Sequence, residues 1–131
     1  MKILLIDDDP AEEVIIDRAL KASGLETYEL VYVDRCSTAM RHLNERAFDL
    51  ILLDDRLSQT INAVVSVQML KNTRFSAPIV ISTNDNSASH LQDPQSLGVH
   101  EVISKSDVFS FLKRWISPQT ATEAPMIAKT G

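Results

Sequence analysis

The 131-residue chain has few of the residues that several common functional sites need. It holds three glycines, and none of them forms the glycine-rich loop that cradles phosphate in nucleotide-binding proteins. Its single cysteine, Cys36, excludes an intrachain disulfide and a cysteine-based metal site. The three histidines, His42, His90 and His100, lack metal-site spacing, and each is interpreted as a surface residue. The composition therefore disfavours P-loop, dinucleotide and zinc sites.

Long apolar runs and an excess of positive charge are also missing. The N-terminal run, residues 3–6, is too short for a signal peptide or a membrane span. The net charge of −5 disfavours nucleic-acid binding, which usually needs a basic face. We therefore expect a cytoplasmic protein that binds neither membrane nor nucleic acid. Its apolar fraction of 44% is ordinary for one globular domain.

Short apolar runs alternate along the chain with segments of helical spacing. Continuous apolar runs are typical of strands buried on both faces of a parallel sheet. These runs are Ile3–Ile6, Leu30–Val33, Leu50–Leu53, Ile79–Ile81 and Val99–Ile103. Five strands alternating with five helices predict an α/β doubly wound domain.

Capping residues and apolar spacing predict the helices. The residues expected to begin or cap a helix are Pro10, Ser37, Asn62 and Asp107. The fourth helix is weaker and is interrupted by Asp93–Pro94. The inward face expected for the first helix consists of Ala11, Ile15, Ala19 and Ala22.

The composition changes near the end of the chain. Residues 1–116 are predicted to form one domain. Residues 117–131, rich in Ser, Pro, Gln, Thr and Ala, are predicted to form a flexible tail. The alternative is that the tail docks on the last helix through Met126 and Ile127.

Polar and charged residues follow four of the predicted strands. They are Asp7-Asp8-Asp9, Asp54-Asp55, Ser82-Thr83 and Ser104-Lys105. Ligand sites in open parallel sheets form beyond the carboxyl ends of the strands, so these clusters are expected to converge. Any one cluster alone is better explained as helix caps and surface charge. Four clusters at matching strand ends favour a shared site.

Converging carboxylates repel one another. Two unit charges about 4 Å apart cost about 4 kcal/mol at an effective dielectric of 20. The group must therefore take up protons or recruit a cation, and an oxygen-only ligand set suits Mg²⁺. Lys105 supplies a positive charge and Thr83 a hydroxyl group. This combination predicts phosphoryl transfer to a carboxylate.

These segments resemble the bacterial two-component response-regulator receiver domains over residues 1–116. The matching segments are Ile3–Pro10, Phe48–Asp54, Pro78–Thr83 and Gly98–Lys105. The resemblance implies a flavodoxin-like fold with sheet order 2-1-3-4-5. It also implies that Asp54 is the phosphoacceptor, that Lys105 pairs with its carboxylate and then with the phosphoryl oxygens, and that Thr83 hydrogen-bonds the phosphoryl group. The implied Mg²⁺ ligands are Asp8, Asp54, the backbone carbonyl of Arg56 and, through water, Asp7.

Partners and activity follow from the same resemblance. The phosphoryl donor would be a histidine kinase or a histidine phosphotransfer protein. The aspartyl phosphate would hydrolyse slowly by itself, so the protein would not be a conventional enzyme. We expect a single-domain regulator, since no output domain is expected after Trp115. It would act on an unknown downstream protein, and homodimerisation is one candidate form of that contact.

The resemblance is incomplete in the loops after Asp54 and Lys105. The family usually has an apolar residue after the phosphoacceptor, and this chain has Asp55. Alternation along the strand lets only one of the two acids point into the site, and the preceding apolar run favours Asp54. A rim ion pair between Arg56 and Asp85 is a further hypothesis. The main alternative function is a pseudo-receiver, an interaction module that works without phosphorylation.

Overall fold

The five apolar runs form one parallel sheet in the computed structural model, which describes residues 1–117. The strands are β1 (Lys2–Ile6), β2 (Glu29–Val33), β3 (Leu50–Asp54), β4 (Ile79–Thr83) and β5 (Glu101–Ser104). Their spatial order is β2-β1-β3-β4-β5, and every neighbouring pair is parallel. The predicted doubly wound, flavodoxin-like α/β fold and its strand order are confirmed.

Five helices connect or follow the strands, as predicted. They are α1 (Ala11–Ala22), α2 (Cys36–Glu45), α3 (Ala63–Leu70), α4 (Pro94–Leu97) and α5 (residues 108–117). Short 3₁₀ turns occupy Ser89–Leu91 and Lys105–Asp107. The α4 helix has only four residues. It begins at Pro94, with the Asp93 side chain capping the Ser96 N–H, so the predicted interruption is confirmed.

Strand alternation divides the core between the two faces of the sheet. On β3, Leu50 and Leu52 pack in a cluster with residues of α1 and α5. Ile51 and Leu53 pack on the opposite face in a cluster with residues of α2 and α3. Because successive side chains point to opposite faces, Asp54 and Asp55 leave the end of this strand in different directions.

Two local predictions are wrong. The α2 helix begins at Cys36, and its N-cap residue Arg35 makes no side-chain capping bond, so Ser37 does not cap it. In α1 the buried residues are Ile16, Ala19 and Leu20. Of the predicted inward residues, Ala19 is buried, Ile15 is partly buried, and Ala11 and Ala22 are exposed. The buried face is therefore rotated on the helix, because a run of three consecutive apolar residues, 14–16, does not reveal which one points inward. By contrast, Asn62 caps α3 as predicted, accepting the Val64 N–H at 3.0 Å.

The residues after 117 lie outside the part that the structure describes. The predicted tail, including Met126 and Ile127, belongs almost entirely to that segment. Within residues 1–117, none of the helices combines the length and apolar character that crossing a bilayer requires.

Replacing Phe111 with Ala is expected to destabilise the fold. Phe111 is 1% exposed in the cluster beside α1, whereas Phe109 on the same helix is 47% exposed. We expect Phe111→Ala to lower the free energy of unfolding by about 3–5 kcal/mol. Phe109→Ala should change it by about 0.5 kcal/mol or less. Urea unfolding followed by circular dichroism measures both, and equal losses would contradict this packing.

Candidate functional site

The carboxyl ends of the strands open on a cavity of about 270 Å³. Its lining residues come from the loops that follow β1, β3, β4 and β5. They are Asp8, Asp9, Asp54, Asp55, Arg56, Thr83, Asn84, Asp85, Ala88 and Lys105. The predicted convergence of four polar clusters is therefore present in the structure.

Three carboxylates meet at this cavity. One oxygen from each of Asp7, Asp8 and Asp54 lies within 4.8 Å of the other two. Asp7 and Asp54 are buried, while Asp8 is exposed to solvent. Buried carboxylates at this separation repel strongly unless a cation joins them. Hard oxygen ligands that are partly open to water are the donor set that Mg²⁺ prefers, so these residues fit that ion.

Lys105 brings a positive charge to two of these acids. Its ammonium Nζ lies 3.0 Å from Asp7 Oδ2 and 3.3 Å from Asp54 Oδ1. Within residues 1–117, the ion pairs made by the three acids all come from Lys105. Burial lowers the pKa of Lys105, but the hydrogen bond to Asp7 and the charge of Asp54 outweigh that effect and raise it. One ammonium thus faces three carboxylates, and the cluster keeps a negative excess.

The surroundings of Asp54 change the pKa of its carboxyl group. Burial, and then the negative charge of Asp7, raise the pKa of Asp54 to about 7. Lys105 offsets these effects only in part, as does the hydrogen bond donated by the Arg56 N–H at 3.4 Å. Protons therefore compete for this carboxylate near neutral pH.

Thr83 is buried at the end of β4 and lines the same cavity. Its hydroxyl donates to the carbonyl of Asp85 at 3.1 Å and accepts the Asp85 N–H at 3.0 Å. The hydroxyl is therefore engaged by its own loop.

The predicted rim ion pair between Arg56 and Asp85 is wrong. Both residues line the cavity, but the ion pairs found among residues 1–117 do not include one between them. The Asp85 carboxylate instead accepts the N–H and hydroxyl of Ser87, and these bonds lower its pKa. A local turn two residues long satisfies this acid more readily than a long arginine side chain could.

Asp55 makes contacts that the sequence did not reveal. Its Oδ1 accepts the backbone N–H of Ala63 at 3.1 Å and lies 2.7 Å from Nε2 of His90. The predicted surface position of His90 is wrong, because only 17% of its side chain is exposed. Asp55 also lines the cavity, although its carboxylate turns away from the acid cluster. The position of Asp55 directly after an apolar strand indicates that its carboxylate needs a hydrogen-bond donor. The sequence does not indicate which residue supplies that donor.

The fold and the site define an α/β domain with an acidic cluster that is paired with a lysine at the carboxyl ends of its strands. The family model for the response regulator receiver domain matches residues 3–114. The chain belongs to the response regulator receiver domain family of two-component signalling. Members of this family generally interact with histidine kinases and downstream effectors, and bind Mg²⁺ in their active sites.

Comparisons with individual proteins agree with this assignment. The chain is 25% identical over 107 residues to the CAI-1 autoinducer sensor kinase/phosphatase CqsS of Vibrio cholerae, covering 79% of this chain and 15% of that protein. It therefore spans about a seventh of that relative's length. The receiver domain of sensor histidine kinase PA1611 from Pseudomonas aeruginosa, solved with magnesium in its active-site cleft, superposes with a TM-score of 0.72. Identity to it is 21%, over 89% of this chain and 94% of that one.

A two-component response regulator from Clostridium difficile gives a similar superposition. Its TM-score is 0.74 at 21% identity, over 90% of this chain and 93% of the other. At such identities the two structural neighbours establish a common fold, and the chemistry must be argued from the residues of this chain.

The raised pKa of Asp54 makes a prediction about stability without metal. In the unfolded chain Asp54 ionises near its ordinary pKa of 3.8, whereas in the folded chain it ionises near 7. The folded state therefore holds an extra proton between these values, and this stabilisation is lost as the pH rises towards 7. We therefore expect the free energy of unfolding of Asp54→Asn to rise relative to that of the parent as the pH increases from 4 to 8. The total change in this difference should be about 1–2 kcal/mol.

Urea unfolding in EDTA at pH 4, 6 and 8 measures this difference. Asp49→Asn, at the exposed amino end of β3, is the matched control and should show no such rise. A difference between Asp54→Asn and the parent that is constant with pH would contradict the proposed repulsion.

Proposed function

We propose that Asp54 accepts a phosphoryl group from a phosphohistidine in a Mg²⁺-dependent reaction, and that the modified domain then signals by protein contact. The observation that supports this most is the acid cluster, in which a buried Asp54 lies beside Asp7, Asp8 and the Lys105 ammonium. A purely structural cluster would be expected to balance its charges. This one sets three carboxylates against one ammonium, and the acid that would act as nucleophile is one of the three.

The residues that would hold Mg²⁺ are Asp8, Asp54 and the backbone carbonyl of Arg56, with Asp7 acting through water. When bound, the ion would neutralise charge on the transferring phosphoryl oxygens. Asp8 is suited to direct contact because it is the exposed member of the cluster. Asp7 is suited to an indirect role because Lys105 already pairs with its Oδ2.

Asp54 is the proposed nucleophile. Its carboxylate oxygen forms a bond to phosphorus while the phosphorus–nitrogen bond of the donor histidine breaks, and the leaving imidazole takes up a proton. The Lys105 ammonium already lies 3.3 Å from Asp54 Oδ1. After the transfer it would pair with a phosphoryl oxygen. In the later hydrolysis, the oxygen of a water molecule would form a bond to phosphorus while the bond between phosphorus and the Asp54 oxygen breaks. Inorganic phosphate would leave with the protons of that water, and the Asp54 carboxylate would be restored.

Thr83 is the proposed link from chemistry to signal. Its hydroxyl would exchange the Asp85 carbonyl for a phosphoryl oxygen as acceptor, which would alter the loop after β4. The face formed by α4, β5 and α5 would present this change to a partner. A histidine kinase or histidine phosphotransfer protein would supply the phosphoryl group, in the cytoplasm, and a downstream protein or a second copy of the chain would receive the signal.

Phosphorylation of Asp54 is tested directly by intact mass. Incubation with Mg²⁺ and acetyl phosphate should add one phosphoryl group to the parent protein. Asp54→Asn should remain unlabelled, because an amide is a poor nucleophile, and EDTA should abolish labelling of the parent. Asp55→Asn changes the adjacent acid outside the metal cluster and should still be labelled. Asp49→Asn, at an exposed acid outside the cavity lining, is the matched control and should be labelled as the parent is.

The same experiment separates the pseudo-receiver alternative, which the unusual contacts of Asp55 keep in consideration. Labelling of Asp54→Asn at the parent's rate would disprove the assignment of the nucleophile. Absence of both labelling and Mg²⁺ affinity in the parent would favour an interaction module that works without phosphate.

A further inference from the structure

The hydrogen bond between Asp55 and His90 joins the two loops that flank Asp54. The two residues lie 35 positions apart in the chain, and their carboxylate oxygen and Nε2 are 2.7 Å apart. Asp55 is 3% exposed, so its charge is almost fully removed from water. A buried carboxylate is costly unless it is hydrogen-bonded, so the structure depends on the donors that Asp55 has found.

Asp55 is hydrogen-bonded across the first of these loops, residues 56–62. Its side chain accepts the N–H of Ala63, the first residue of α3, and so closes the loop on itself. Its backbone N–H donates to the Ser82 carbonyl at 3.0 Å, which fixes Asp55 to the end of β4. Arg56, the first residue of this loop, lines the same cavity as Asp54.

His90 lies directly after the second loop, residues 84–88. It sits in the 3₁₀ turn that follows the loop, and its neighbour Leu91 is 3% exposed in the core. The side chain of Gln92 donates to the carbonyls of Asn86 and Ala88, so the loop and the turn are tied together. Ala88 lines the cavity.

We propose that Asp55 and His90 form a clamp that holds the two loops over Asp54 and slows the entry of water to the aspartyl phosphate. This inference rests on the proposed function. Both residues are positioning residues, since neither lies in the acid cluster. Either the neutral Nε2–H tautomer or the imidazolium of His90 can donate this bond, so the clamp requires only the donor and the buried acceptor.

Removing the donor should shorten the life of the phosphorylated protein. After labelling with acetyl phosphate and removal of the donor, we expect His90→Ala to lose its phosphoryl group about three- to tenfold faster than the parent, since a hydrogen bond to a charged group no longer holds the loops. His90→Gln retains an N–H donor of similar reach and should restore most of the lifetime. His42→Ala is the matched control, because His42 lies on α2 and does not line the cavity. Its phosphorylated lifetime should equal that of the parent.

A double-mutant comparison separates a clamp from a general loss of structure. In an Asp55→Leu background the bond is already absent, so adding His90→Leu should change the lifetime by less than about twofold. The Asp55→Leu/His90→Leu protein contains no buried carboxylate at this position, and of the groups that Asp55 bonds it leaves only the Ala63 N–H without its acceptor. It should therefore fold even if His90→Ala alone leaves the buried carboxylate too poorly satisfied. Independent, multiplying effects of the two substitutions on the lifetime would overturn the proposal.

Amide hydrogen exchange of the unphosphorylated protein tests the clamp without any phosphoryl chemistry. His90→Ala should speed exchange at Ala63 and in residues 84–90, and leave β1 unchanged. If the parent takes no label, the proposed function fails while exchange still reports on the clamp. If labelled His90→Ala keeps the parent's lifetime, the control of water entry is disproved, whatever the exchange shows.

Discussion

The repulsion among Asp7, Asp8 and Asp54 is the constraint on which the site depends. Parallel strands bring their carboxyl ends to one edge of the sheet, so acids that follow β1 and β3 must meet there. Lys105 is drawn between two of them, and it cannot neutralise three. Burial first, and then the negative charge of Asp7, raise the pKa of Asp54 in spite of Lys105. If Asp54 is the nucleophile, as proposed, a cation would be needed to offset this charge during the reaction, and a proton can take its place when the cation is absent.

Strand alternation gives the adjacent acids Asp54 and Asp55 different tasks. Asp54 follows the face that carries Leu50 and Leu52 and reaches Lys105. Asp55 follows the face of Leu53 and reaches the amino end of α3. A shift of one residue in the register of β3 would exchange them, and the pairing of Leu53 with Ile6 and with Ile81 defines that register. The register of β3 therefore determines which carboxylate meets the lysine.

The sequence was most informative where one physical rule dominated. Uninterrupted apolar runs predicted the strands, and the position of acids, hydroxyl and lysine after those runs predicted the cavity that they line. It was less informative where several residues could serve equally, as in the apolar run 14–16 of α1, or where a short turn competed with a longer side chain, as at Asp85. The Asp55–His90 bond could not be predicted, because it depends on how a four-residue α4 and a preceding 3₁₀ turn replace a longer helix. Such a segment has no periodic pattern from which the direction of His90 could be read.

The short fourth helix also bears on how far a signal from Thr83 can travel. The hydroxyl of Thr83 holds the carbonyl and N–H of Asp85, and exchange of that acceptor for a charged phosphoryl oxygen would favour the second arrangement by about 1–2 kcal/mol, the difference between a neutral and a charge-assisted hydrogen bond. This free-energy difference between the two arrangements of Thr83 is small. In a long rigid helix it would be distributed over many side-chain contacts. Here Asp85 lies in the loop 84–88, which Gln92 and His90 tie to the segment after β3. Residues of both segments line the cavity that holds Asp54. The extent of switching and the lifetime of the modification would therefore depend on the same few hydrogen bonds.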